Sequence, residues 1–154
     1  MNRFISTQPE PQCAVPRSTR PMSVDRSQLD TAAPHPRLRV LVVDDQKDIA
    51  LTCAEFLSLE GYAVATAFDG PSALELALRE PPDVALLDIG LPGFDGYELG
   101  SRLRQHFGPR IRLIALTAFS LDEHRARTRA AGFDHHLVKP ADLEQLQAIL
   151  GPPV

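Results

Sequence analysis

Three short apolar runs in this chain stop on polar side chains, and a weaker fourth does the same. That repeated ending constrains the fold more than any other feature. Val40–Val43 runs into Asp44 and Asp45, Val84–Leu87 into Asp88, and Ile111–Leu116 into Thr117. The weaker run over 134–138 ends at Lys139. Apolar runs of this length, broken in the first three only by Arg112, suit strands covered on both faces. An unpaired carboxylate is costly to bury, so the acids at these strand ends need a reason to be there.

Helical spacing fills the gaps between the runs. Ile49, Cys53, Phe56 and Leu57 recur at that period, and Gly61 can end their helix. Tyr62–Ala67 reads as another strand. Gly70 and Pro71 open a helix containing Ala73, Leu74, Ala77 and Leu78, which Pro81 and Pro82 stop. Asp95 and Glu98 have capping-box spacing before Leu99, Leu103 and Phe107. Ser120 and Glu123 repeat that spacing, and Gly132 follows as a stop. Leu143, Leu146, Ile149 and Leu150 form a short last helix closed by Gly151. The apolar stripes of these helices are expected to lie in the core.

Five strand–helix units predict an α/β fold, a doubly wound five-stranded parallel sheet with helices on both faces. In open parallel sheets, ligands sit beyond the carboxyl ends of the strands, where the strand order reverses. With a flavodoxin-like order of 2-1-3-4-5, strands one and three are neighbours there, and Asp44, Asp45 and Asp88 meet. The apolar run then places the two adjacent acids where the strand leaves the core, without burying them.

Residues 1–36 differ from the rest, holding six of the fourteen prolines and no apolar period. They read as a disordered tail, with a folded domain over 37–151 and a short tail over 152–154. A formal charge of −4 gives no sign of a general nucleic-acid or membrane surface. No apolar run approaches the roughly 20 residues of a membrane span. Cys53 is expected to be a buried reduced thiol, and the expected compartment is the cytoplasm.

Three neighbouring carboxylates repel one another, so one takes up a proton or a cation binds. Hard oxygen ligands favour Mg²⁺, Mn²⁺ or Ca²⁺. Thr117 and Lys139 face them with a hydroxyl and an ammonium, both suited to phosphate. An aspartate in such company is well placed to attack a phosphoryl group. Asp44 as a simple helix N-cap leaves Asp45 unexplained. Thr117 and Lys139, taken singly, are commonplace residues. His135 and His136 point to opposite faces of a strand, which argues against joint chelation of a metal. Arg125, Arg127 and Arg129 suit a surface for an acidic partner or a solvated helix face.

VLVVDD at 40–45, LLDIGLPGFDGYEL at 86–99, IALTA at 114–118 and DHHLVKP at 134–140 together resemble the receiver domain of two-component response regulators. The wording of 132–140 is most similar to receivers attached to hybrid histidine kinases. The resemblance spans about residues 38–150. It implies Asp88 as phosphoacceptor, Asp45 as a direct Mg²⁺ ligand, and Asp44 acting through a water. It also implies the Gly90 carbonyl as a further ligand and Thr117 as the switch hydroxyl. Lys139 would bind phosphoryl oxygens, with a cis peptide before Pro140. His136 matches the switch aromatic that reports to the surface of the fourth helix, fifth strand and fifth helix.

The expected protein is a single-domain response regulator, a signalling module and not an enzyme in the usual sense. It would take its phosphoryl group from a histidine kinase or phosphotransfer protein and act on a downstream protein target, or alternatively pass the group on or act as a phosphate sink. No nucleic acid or membrane would be bound directly, and the protein would be a monomer or weak dimer. Gly90 and Phe119 depart from the commonest pattern at positions that, by the resemblance, influence water access, and the phosphorylated lifetime is expected to be set partly by Phe119 shielding the site. A dehalogenase-type phosphatase would need an aspartate where Gly90 stands. A receiver that binds partners without phosphorylation fits poorly with a complete acidic site.

Overall fold

The computed structural model describes residues 37–118 and 122–152. The readings made for the proline-rich segment, Phe119 and Ser120 lie outside the described residues.

Five strands alternate with five helices. They are β1 (Arg39–Val43), α1 (Lys47–Leu59), β2 (Ala63–Ala67), α2 (Gly70–Arg79), β3 (Val84–Asp88), α3 (Gly96–Phe107), β4 (Arg112–Thr117), α4 (Asp122–Ala130), β5 (His135–Val138) and α5 (Leu143–Leu150). A short 3₁₀ turn, Gly108–Arg110, joins α3 to β4. All neighbouring strands pair in parallel, in the order β2-β1-β3-β4-β5. The sequence-based fold is therefore the observed one. The order reverses between β1 and β3, so their carboxyl ends lie side by side.

The two-residue side-chain period of a strand divides the core into two layers. Leu41, Val43, Ala85, Leu87, Leu113 and Ala115 face one side, where they meet Ala73 and Ala77 of α2 and Leu99 and Leu103 of α3. Val40, Val42, Val84, Leu86, Ile114 and Leu116 face the other, against Ala50 and Leu57 of α1 and Leu146 and Leu150 of α5. The three central strands are thus covered on both faces, which is why their sequences are apolar beyond the exposed Arg39 and Arg112 that open β1 and β4, as far as the polar residues at their ends.

Local signals set the helix ends. The Asp69 carboxylate accepts the Ser72 N–H at 2.7 Å and starts α2, with Pro71 in its first turn. Asp95 accepts the Glu98 N–H at 2.8 Å and starts α3. Gly61, Gly132 and Gly151 follow α1, α4 and α5 with positive φ, as expected for residues that terminate helices.

Not every stripe residue is core. Ile49, Leu78 and Leu143 are exposed by 41%, 48% and 37%, against the expectation from periodicity. Ile49 and Leu143 line a groove between α1 and α5 with Cys53, Phe56 and Ala141. A helix of 13 residues against a strand of five carries apolar positions that the sheet is too short to cover.

Candidate functional site

The carboxyl ends of β1, β3, β4 and the segment after β5 bring together Asp44, Asp45, Asp88, Thr117 and Lys139. Asp44, Asp45 and Asp88 each offer a carboxylate oxygen, and these oxygens lie within 4.8 Å of one another. The predicted cluster forms because β1 and β3 pair in register, Val43 opposite Leu87, so their next residues emerge together.

The two adjacent acids sit in opposite environments. Asp45 is exposed, but Asp44 is wholly buried, at 0% exposure. This corrects the expectation that both lie outside the core. Asp44 is compensated instead: one oxygen accepts the Gln46 N–H at 2.9 Å, and the other accepts Lys139 Nζ at 2.7 Å. Gln46 is the residue capping α1, so Asp44 is not that helix's N-cap.

Asp88 is also buried, with Oδ1 accepting the Gly90 N–H at 2.9 Å and Oδ2 standing 3.1 Å from Lys139 Nζ. Burial pushes its carboxyl above the ordinary value, and the Asp44 charge adds to the rise. The Gly90 N–H and Lys139 oppose the shift without cancelling it. For Lys139, burial works to lower its value, but hydrogen bonds to Asp44 and Asp88 outweigh burial and raise it. The lysine is therefore a charged ammonium shared by two acids, closer to Asp44. Asp88 is the less compensated partner.

Thr117 ends β4 and is buried, and its carbonyl accepts the Lys139 N–H at 2.8 Å. That bond aligns the lysine with the strand end. The Lys139–Pro140 peptide is cis, as expected. Gly90 is exposed beside the acids, and a Cβ there would lie 3.5 Å from Asp88 Oδ1. His136 lies further back on β5, with Nδ1 3.5 Å from Thr128 Oγ1 of α4. The exposed His135 is not part of the site. Arg125, Arg127 and Arg129 are all exposed, and Arg127 stacks on Tyr97 of α3, 4.3 Å from its ring centroid.

One contributor escaped the sequence reading. Gly96 opens α3 directly beneath the acid: a Cβ there would lie 2.3 Å from the Asp88 carbonyl oxygen. The signal was present as a glycine immediately after the Asp95 cap, but the close approach it permits is between segments eight residues apart.

The donor set fits a hard divalent cation. It is all oxygen, one acid is exposed, and neighbouring negative charges remain incompletely neutralised by one lysine. Asp88 and Thr117 are buried at neighbouring strand ends, and the Lys139 ammonium stands 3.1 Å from Asp88 Oδ2.

A family model described as the response regulator receiver domain matches residues 40–151. The chain belongs to that family. It is a receiver domain of two-component signalling. Among its relatives, Response regulator MprA of Mycobacterium leprae is 38% identical over 111 residues, covering 72% of this chain and 48% of that protein. The chain thus spans about half the length of such relatives. Sporulation initiation phosphotransferase F of Bacillus subtilis is 33% identical over 71% of this receiver and 87% of its own length. A solved response regulator from Burkholderia pseudomallei superposes with a TM-score of 0.68 at 32% identity, over 73% of this receiver and 66% of that chain. It is described as carrying a phosphorylated aspartic acid, a calcium ion and citrate.

Proposed function

We propose that the protein accepts a phosphoryl group on Asp88 from a phosphohistidine donor and uses the modification to switch a protein-binding surface. The observation that carries this reading is the state of Asp88: a buried, under-compensated carboxylate within 4.8 Å of two more acids and 3.1 Å from an ammonium. The phosphorylated aspartate of the Burkholderia pseudomallei relative supports it.

In this reading an Asp88 carboxylate oxygen attacks phosphorus. The P–O bond forms as the P–N bond to the donor imidazole breaks, and the electron pair returns to the ring nitrogen. Lys139 binds the phosphoryl oxygens, exchanging part of its pairing with Asp88 for them. Thr117 donates its hydroxyl to the same group. Asp45, Asp88 and the Gly90 carbonyl would hold Mg²⁺ directly, with Mn²⁺ an alternative, and Asp44 would act through water. When bound, the ion neutralises the acids and the transferring charge. His136, on Thr128 of α4, is the proposed link from Thr117 to the surface of α4, β5 and α5.

The donor would be a histidine kinase or phosphotransfer protein, and the output a downstream protein. The proposed folded domain runs over 37–151, preceded by a tail over 1–36. Work in the cytoplasm is proposed from the reading of Cys53 as a reduced thiol; among the described residues no helix is long and apolar enough to cross a membrane.

Intact-mass measurement after incubation with Mg²⁺ and acetyl phosphate tests the reading. One phosphoryl adduct is expected, absent without Mg²⁺ and absent in Asp88→Asn. An adduct that persists in Asp88→Asn overturns the assignment. No adduct at all points to partner binding without phosphorylation, and rapid turnover of unrelated phosphate esters points to a phosphatase.

A further inference from the structure

The segment after Asp88 carries Gly90 between the buried Ile89 and Leu91, and the Ile89 N–H donates to the Leu116 carbonyl at 2.9 Å. Further along, Phe94 adds a contact with another helix. A Cβ at Gly70, the first residue of α2, would lie 1.9 Å from Phe94 Cδ1 and 2.8 Å from Cγ, so the ring occupies space that only glycine leaves open. The Arg102 guanidinium stands 4.7 Å from the same ring's centroid and is itself held by Glu98 at 2.6 Å. Gly93, with φ +74°, makes the turn that brings Phe94 there.

The surface that receives the ring is firmly built. Asp69 accepts both the Ser72 N–H and its hydroxyl, at 2.7 and 2.9 Å, and Pro71 restricts the helix start. At the end of β2, the Ala67 carbonyl accepts the Asp44 N–H at 3.2 Å. A continuous path thus runs from Asp44 through Ala67, Gly70 and Phe94 back to Asp88. It ties together the two strand ends whose carboxylates repel each other.

We propose that Gly70 and Phe94 are positioning residues, a lock that holds the 89–95 segment and its Gly90 carbonyl in register with the Asp44–Asp45–Asp88 cluster. The inference rests on the reading of that cluster as a metal site. A cation site binds tightly only when its ligands are held in place before the ion arrives, and the lock supplies that order.

The test is a double-mutant cycle on the full chain. Mg²⁺ affinity is measured by calorimetry, and amide hydrogen exchange of 89–95 and of α2 is measured without metal. Gly70→Ala and Phe94→Ala are each expected to weaken Mg²⁺ binding by about tenfold or more. Exchange should quicken in 89–95 while α2 keeps its protection. In the Phe94→Ala background, Gly70→Ala should add nothing, because the ring it displaces is gone. Wild-type affinity in either single variant overturns the lock, and so does an additive loss in the double. If the wild type itself binds no Mg²⁺, the metal reading fails. The lock is then judged by exchange, which must show the same acceleration and non-additivity or the lock fails too. Should Gly70→Ala not fold, Phe94→Leu decides: it must bind Mg²⁺ more tightly than Phe94→Ala, and equal loss overturns the proposal.

Discussion

Asp44 and Asp45 share a peptide bond and almost nothing else. Asp44 is sealed against the Lys139 ammonium at 2.7 Å, while Asp45 faces solvent. Asp45→Ala should therefore weaken Mg²⁺ binding with little change in stability. Asp44→Ala should weaken binding less and cost about 1–3 kcal/mol of stability, because it deprives Lys139 of its nearer partner in a buried setting. A Mg²⁺ titration beside urea unfolding of both variants checks the pair, and the reverse order of affinities would refute the roles. Cys53 sits close enough for Asp44 to act on it. Burial first, and then the Asp44 charge, push its thiol up to about 11. In a Cys13→Ser background, alkylation at pH 8 should be about a hundredfold slower folded than in urea, as thiolate fraction sets the rate. The unfolded thiol ionises first, so the contribution of Cys53 to stability is present below its ordinary value of 9.0 and lost as pH rises to about 11.

At the scale of elements, Arg104 of α3 does the work of a tie. Its guanidinium donates to the carbonyls of Gly108 and Ile111, both at 2.7 Å, and to the Gly132 carbonyl and Asp134 carboxylate at 2.8 and 2.7 Å. It thereby joins the end of α3, the start of β4 and the turn from α4 into β5. Arg104→Ala should cost about 2–3 kcal/mol in chemical unfolding, since several carbonyls lose a charged donor together. Arg104→Lys should recover little, because one ammonium cannot span the fork of partners. The C-terminal end of α5 is secured in a similar way. Gln147 donates to Glu60 at 2.7 Å, and the Gly151 carbonyl accepts the Tyr62 hydroxyl. These bonds fasten a helix of only eight residues, too short to rely on its apolar face alone.

For the whole molecule, the acidic site and the fold are thermodynamically linked. A ligand that binds only the native state stabilises it by mass action. Mg²⁺ at a hundred times its Kd should add about 2.7 kcal/mol, read as a rise in Tm that a chelator reverses. Asp45→Ala should abolish the rise at the same Mg²⁺ concentration. A Tm indifferent to Mg²⁺ in the wild type would show that no ion binds the native state.

The order of strands and helices was legible because the physics is local and periodic. Strands covered on both faces are largely apolar, helices need one apolar stripe, and Pro71, Asp95 and Gly151 mark ends by local capping and backbone chemistry. Asp44, Asp45, Asp88, Thr117 and Lys139 were legible too, since polar residues ending apolar runs must converge at one edge of a parallel sheet. Adjacent residues carry no label for solvent, however, and only the packed structure sealed Asp44 and left Asp45 open. The same holds for Gly96 beneath Asp88 and Phe94 against Gly70. Those contacts depend on how closely separate segments approach, a distance decided by packing and not by any pattern along the sequence.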